Sequence, residues 1–123
     1  QFKLNIMEKI AILIFADSAH VEGLGRVANA FVLGDEAVEN GDKLRIIFQG
    51  AGTKWIGELE KEDHKLHEPY MKLKKYIEVC PFCARAFGVI QHAEKAGLRF
   101  ADEYKDHPSV RNILAEGYHV LVY

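Results

Sequence analysis

Only two cysteines occur among the 123 residues, and they stand three positions apart as Cys80 and Cys83. A pair that close builds no disulfide framework, so the fold must hold without staples. Long apolar runs are also missing: none approaches the roughly 18–20 residues of a membrane-spanning helix. There is no basic excess either. Sixteen Lys and Arg face eighteen Asp and Glu, for a net charge of −2, which argues against non-specific nucleic-acid binding. No basic start leads into an apolar stretch and a small-residue cleavage site, so a cytoplasmic location is expected. Repeats, low-complexity segments and linkers are lacking. What the chain does have is 49% hydrophobic content, enough for one core in one domain. Residues 1–8, which include Met7 as a candidate start, are read as leader or appended sequence, and residues 9–123 as the domain.

The hydrophobic pattern alternates between strand and helix. Residues 10–16 form a continuous apolar run, as expected of a central parallel strand buried on both faces. A polar turn leads to Leu24, Val27, Ala28 and Phe31 at helical spacing, and Asn40-Gly41 stops that helix. Residues 44–48 predict a second strand. Thr53 is expected to cap a helix that turns Trp55, Ile56 and Leu59 inward. Pro69 is expected to open another helical piece with Tyr70, Leu73 and Tyr76. A third strand ends at Val79. Residues 84–96 predict one helix, with Cys83, Ala86, Phe87 and Ile90 as its stripe and Gly97 at its end. Residues 98–101 predict a fourth strand. His107-Pro108-Ser109 opens a last helix carrying Val110, Ile113 and Leu114, and residues 118–123 predict a fifth strand. The fold class is therefore α/β, a single domain with a mostly parallel five-stranded sheet and helices on both faces.

In such sheets the functional crevice lies beyond the carboxyl ends of the strands. The loops at 17–25, 49–54 and 80–83 converge there. Cys80 sits where the third strand runs into a helix, with Pro81 at the first helical position. A thiol capping a helix meets the positive end of the dipole, so its pKa is expected to fall and its thiolate fraction to rise. The competing reading makes both cysteines small buried hydrophobes. Cys83 fits that reading through its apolar stripe; Cys80, as a cap, fits it less well. One pair supplies two ligands where a structural zinc site needs four, so neither a metal nor a cofactor is expected.

The remaining candidates surround the same crevice. Gly23 and Gly25 precede a helix and could hold an anion, although the third glycine of the dinucleotide fingerprint is missing. The same glycines would also serve a tight turn. In the loop that Asp17 opens, His20 and Glu22 could form an acid–base pair near Cys80, or simply be exposed capping residues. Gly50 and Gly52 could turn backbone N–H groups toward a ligand, and Lys54 could stabilise a thiolate or persulfide; the bland reading is a helix start with one solvated lysine. Trp55 covers either the site or the core. His64 and His67 have a metal-like look, but the charged stretch before Pro69 reads better as a solvated loop. His92, His107 and His119 join no constellation, and His107 before Pro108 reads as a turn or cap residue.

Cys80-Pro81-Phe82-Cys83 resembles the glutaredoxin redox motif. Its surroundings do not fit that fold: the pair lies far from the N-terminus, the only downstream proline, Pro108, opens a helix rather than a strand, and the last element is a strand. The whole pattern instead resembles the DsrE/DsrF-like sulfur-relay proteins. The resemblance rests on the first strand with Ala16-Asp17, the Gly-Leu-Gly-Arg start at Gly23, and the Gly-Ala-Gly-Thr-Lys-Trp turn at Gly50. The cysteine at the third strand's end, with its helix running into Phe87-Gly88-Val89, completes it. It implies small α/β subunits that assemble as trimers or hexamers, and a persulfide carried on the cysteine that matches Cys80. It also implies sulfur donor and acceptor proteins or small thiols as partners. Cys83 is an additional thiol, open to a core role or a resolving one. Two alternatives stand beside the sulfur carrier: a Cys80–Cys83 dithiol redox switch, and an oligomeric small-ligand-binding or scaffold protein with inert cysteines.

Overall fold

The computed structural model describes residues 6–123. Its centre is β1 (Lys9–Ile14), whose last four residues are buried. A strand so apolar must be covered on both faces and both edges, and it is. β2 (Lys43–Phe48) pairs with one edge and β5 (His119–Val122) with the other, both parallel. β3 (Ile77–Val79) then pairs with β2, and β4 (Arg99–Phe100) with β3, again parallel. The sheet order is β4-β3-β2-β1-β5, so the sheet is parallel throughout.

The helices divide unequally between the faces. Ile12 and Ile14 pack against the larger cluster, which takes Val27 and Phe31 from α1 (Val21–Glu39) and Trp55, Ile56 and Leu59 from α2 (Trp55–Leu59). Tyr70 and Leu73 of α3 (His67–Leu73), Ala84 of α4 (Pro81–Ala86) and Ala93 of α5 (Ile90–Ala96) complete it. Ala11, Leu13 and Ile47 face the other way, toward Ile113 of α6 (Val110–Ala115). Each fully buried Ile or Phe contributes roughly 1.5–3 kcal/mol relative to exposure. On that second face a forked ion pair joins β2 to β3, with Arg45 2.6 and 2.7 Å from the two carboxylate oxygens of Glu78.

Several boundaries depart from the sequence pattern. The single helix expected over residues 84–96 is two, because Gly88 adopts a φ of +70°. Gly88 N–H bonds to the Arg85 carbonyl and Val89 N–H to that of Ala84, which closes α4 as a Schellman motif. α3 opens at His67 rather than at Pro69, since proline is tolerated within a helix's first turn. Thr53 caps nothing; it lies in the 3-10 turn Gly50–Lys54, and its hydroxyl donates to the Gly50 carbonyl at 2.8 Å. β1 stops at Ile14, after which Phe15 N–H bonds to the Tyr123 carbonyl. Of the expected leader, residues 1–5 lie outside the described part. Glu8 belongs to the domain: its N–H bonds to Asp42 and its carbonyl accepts from Lys43 N–H.

This topology fixes where a site can form. After β3 the chain turns to the larger-cluster face with α4, and after β4 it turns to the opposite face with α6. The carboxyl ends of β3 and β4 are therefore a switch point, the place where open parallel sheets leave a crevice.

Candidate functional site

Cys80 is anchored at that switch point by its backbone. Its N–H bonds to the Phe48 carbonyl at 3.0 Å, continuing the β2–β3 ladder, and its carbonyl accepts from Ala84 N–H within α4. Extended φ and ψ make it the residue before the helix, with Pro81 at the first helical position. The cap expected from sequence is present: Cys83 N–H donates to Cys80 Sγ at 3.4 Å.

The expected low pKa is not. Cys80 is fully buried and Cys83 only partly so. Burial pushes the Cys80 thiol up to about 12, and the neighbouring Cys83 thiol adds to the rise. The N–H groups of Cys83 and Phe82 pull the other way with smaller effect. Desolvation outweighs the end of a helix only six residues long. Cys80 is the more enclosed of the two; Cys83 is partly exposed as a residue, although it too is buried within the cluster it forms with Cys80 and His107.

What encloses Cys80 is the loop after β4. Tyr104 and His107 exchange two backbone hydrogen bonds of 2.8 Å around a two-residue turn. Lys105 and Asp106 at its centre have φ of +50° and +62°, the pattern of a type I′ turn. Neither residue is glycine, so the turn is strained. It delivers two groups to the thiols. The Asp106 carbonyl accepts from Phe82 N–H at 3.1 Å and from the Cys80 thiol at 3.7 Å. His107 Nδ1 lies 3.3 Å from Cys80 Sγ and 3.9 Å from Cys83 Sγ. Phe82 lies against the imidazole with ring centroids 4.6 Å apart, and Arg85 holds the Asp106 carboxylate at 3.0 Å. Glu103 ties the loop's other arm to the sheet through Arg45 and Ser109 N–H. His107, read from sequence as a turn or cap residue, is therefore the third member of the site. Cys80, Cys83 and His107 place one thiol, thiol and imidazole ligand atom each within 4.8 Å of one another. The set offers a nucleophile, a second thiol and a base, and all three are metal-ligating groups.

The other predicted residues are distributed differently. Asp17 and Lys54 come together at 2.8 Å, tying the loop after β1 to the turn after β2. That contact and the Ala19 N–H hold the Asp17 carboxyl below its ordinary value. Lys54 also lies 6.0 Å from the Phe87 ring, but no hydrogen bond among the described residues links it to a cysteine. His20 is exposed, precedes α1 without a side-chain cap bond, and joins neither cysteine. Gly23 and Gly52 are packing residues: a Cβ on either would run into a backbone carbonyl, that of Asp17 or of Ile14. Gly50 takes a φ of +53° and Gly25 faces open space on α1. Trp55 is buried, and its indole N–H donates to the Ala16 carbonyl at 2.7 Å. His64 and His67 are partly buried and each bonds to backbone, His64 to Leu66 N–H and His67 to the Leu59 carbonyl. They form neither a metal pair nor a solvated loop.

Comparison with known protein families finds no match. The chain is similar to an uncharacterized protein of Methanocaldococcus jannaschii, 28% identical over 114 residues that span 92% of this chain and 93% of the other. A conserved protein of unknown function from Bacteroides thetaiotaomicron shares the fold, with a TM-score of 0.62 and 16% identity over 92% of this chain and 94% of that one. No helix among the described residues is long and apolar enough to cross a membrane.

Proposed function

We propose that the protein handles sulfane sulfur on the Cys80–Cys83 pair. The observation that carries this reading is the gathering of both thiols and the His107 imidazole within 4.8 Å at the switch point of the sheet. The resemblance to DsrE/DsrF-like proteins assigns the sulfur to the position of Cys80. The burial pattern favours Cys83 as the thiol that a donor meets first. His107 Nδ1 takes the Cys83 proton, and the thiolate attacks the outer sulfur of a donor persulfide. The donor's S–S bond breaks, the donor leaves as a thiol, and Cys83 holds the sulfur as Cys83–S–SH. Attack by an acceptor thiolate on that outer sulfur returns Cys83 to its thiol. Assembly into a trimer or hexamer, implied by the same resemblance, is part of the proposal.

The test is intact mass after treatment of the reduced protein with a persulfide donor. A gain of one sulfur atom in the wild type and in Cys80→Ser, lost in Cys83→Ser, is expected. A gain lost only in Cys80→Ser moves the sulfur to Cys80. No gain in the wild type overturns the proposal.

A second reading, the dithiol switch, is favoured by the proximity of the two sulfurs. In it Cys80 attacks the inner sulfur of Cys83–S–SH, releasing hydrogen sulfide and leaving a Cys80–Cys83 disulfide. A reduction potential near the cytosolic poise would support it; failure of the sulfurs to bond under mild oxidant would exclude it.

A further inference from the structure

We infer that Cys80, Cys83 and His107 form a three-ligand site for a thiophilic divalent ion of the zinc type, with the fourth position left open. The inference needs no sulfur chemistry, although it uses the same side chains. From sequence the cysteine pair was two ligands short of a zinc site. The Tyr104–His107 turn supplies a third.

Distance is the first argument. With Zn–S near 2.3 Å and Zn–N near 2.0–2.1 Å, tetrahedral coordination puts ligand S and N atoms about 3.6 Å apart. The two sulfurs lie 3.3 and 3.9 Å from His107 Nδ1 and so bracket that value. The spacing of Cys80 and Cys83, at the start of one short helix, is that of many zinc-binding pairs. Charge is the second argument. Two thiolates and a neutral imidazole balance a divalent cation, so the buried site would carry no net charge, and an uncompensated charge there would be costly. The surroundings are the third. Cys83 N–H already donates to Cys80 Sγ, and Phe82 holds the imidazole plane. Metal sites depend on such supports to orient their ligands.

A neighbouring backbone position carries an unsatisfied group. The register that sets Phe48 beside Val79 sets Gln49 beside Cys80 one residue further on. Gln49 is 7% exposed, and its Oε1 is buried with no hydrogen-bond partner. Three protein ligands with an open fourth place is the pattern of catalytic rather than structural zinc. Loading releases the two thiol protons and changes no oxidation state. It also occupies both sulfurs, so metal and sulfane sulfur exclude each other.

The experiment uses the reduced, untagged full chain under anaerobic conditions, titrated with Co²⁺. The expected result is one Co²⁺ per chain, with a thiolate-to-cobalt charge-transfer band and tetrahedral d–d bands. Zn²⁺ should bleach both and protect both cysteines from alkylation. Cys83→Ser and His107→Gln should each weaken Co²⁺ binding at least about tenfold, with circular dichroism confirming that they fold. Absence of the charge-transfer band at saturating Co²⁺ overturns the inference, as does equal affinity in folded His107→Gln. Metal binding without a sulfur-mass gain would sink only the sulfur reading; the reverse result would sink only the metal site.

Discussion

Cys80 Sγ and His107 Nδ1 lie 3.3 Å apart although 27 residues separate them in the chain. The contact brings the end of β3 and the loop after β4 to one point. It also buries Cys80 more fully than its neighbour Cys83. In the reduced, metal-free protein, iodoacetamide should therefore label Cys83 well before Cys80 at neutral pH. Peptide mapping of a labelling time course checks the order, and equal rates would contradict the enclosure of Cys80.

Stability should carry the same signature. Cys80 is held from its ordinary 9.0 up to about 12. The folded state thus keeps a proton that the unfolded chain releases. The Cys80 contribution is intact below pH 9 and is lost as pH rises toward 12. Urea midpoints measured across this range should fall more steeply for the wild type than for Cys80→Ala. Parallel curves would mean that Cys80 is not desolvated.

The thiol site was half legible in the sequence. Cys80 as a helix cap followed from an apolar strand, a proline and a helical stripe, all local signals. His107 was not legible, because the turn that carries it has Lys105 and Asp106 where a type I′ turn usually shows Asn and Gly. The thiol pKa went wrong for a related reason. Local sequence reveals the helix end, whereas the desolvation comes from a loop more than twenty residues away. The parallel pairing followed from the alternating pattern, whereas the strand order did not, because the pattern gives no sign of which strands are neighbours. The break at Gly88 did not, since the helical period of Cys83, Ala86, Phe87 and Ile90 ran straight through it.

The strain in that turn can be relieved without touching His107. Asp106 serves Cys80 and Phe82 through its backbone carbonyl, and its exposed ion pair with Arg85 adds little. The double variant Lys105→Asn, Asp106→Gly should stabilise the fold by about 1 kcal/mol. Thermal unfolding that shows a lower Tm would argue against a strained turn.

The forked pair on the thinly covered face predicts a loss. Arg45 neutralises Glu78, which is 8% exposed. Arg45→Met leaves that carboxylate buried and unpaired, at a cost of about 3 kcal/mol. Adding Glu78→Leu should recover most of it. Denaturant titration of both variants distinguishes a lost partner from a lost side chain.

The glycines of the first helix should part company. Gly23→Ala forces a Cβ into the Asp17 carbonyl and should destabilise by roughly 1–3 kcal/mol. Gly25→Ala meets open space and should stabilise the helix by about 0.5–1 kcal/mol. A loss at Gly25 comparable to that at Gly23 would point to a constraint beyond packing.

The strand order has a further consequence during synthesis. Within the described residues β1 is synthesised well before β5, its partner along one edge. At roughly 5–20 residues per second, the apolar β1 edge waits several seconds without its cover. Unpaired edges of that kind recruit other chains. Expression yield should therefore depend on translation speed and chaperone supply more than the equilibrium stability of the finished fold would suggest.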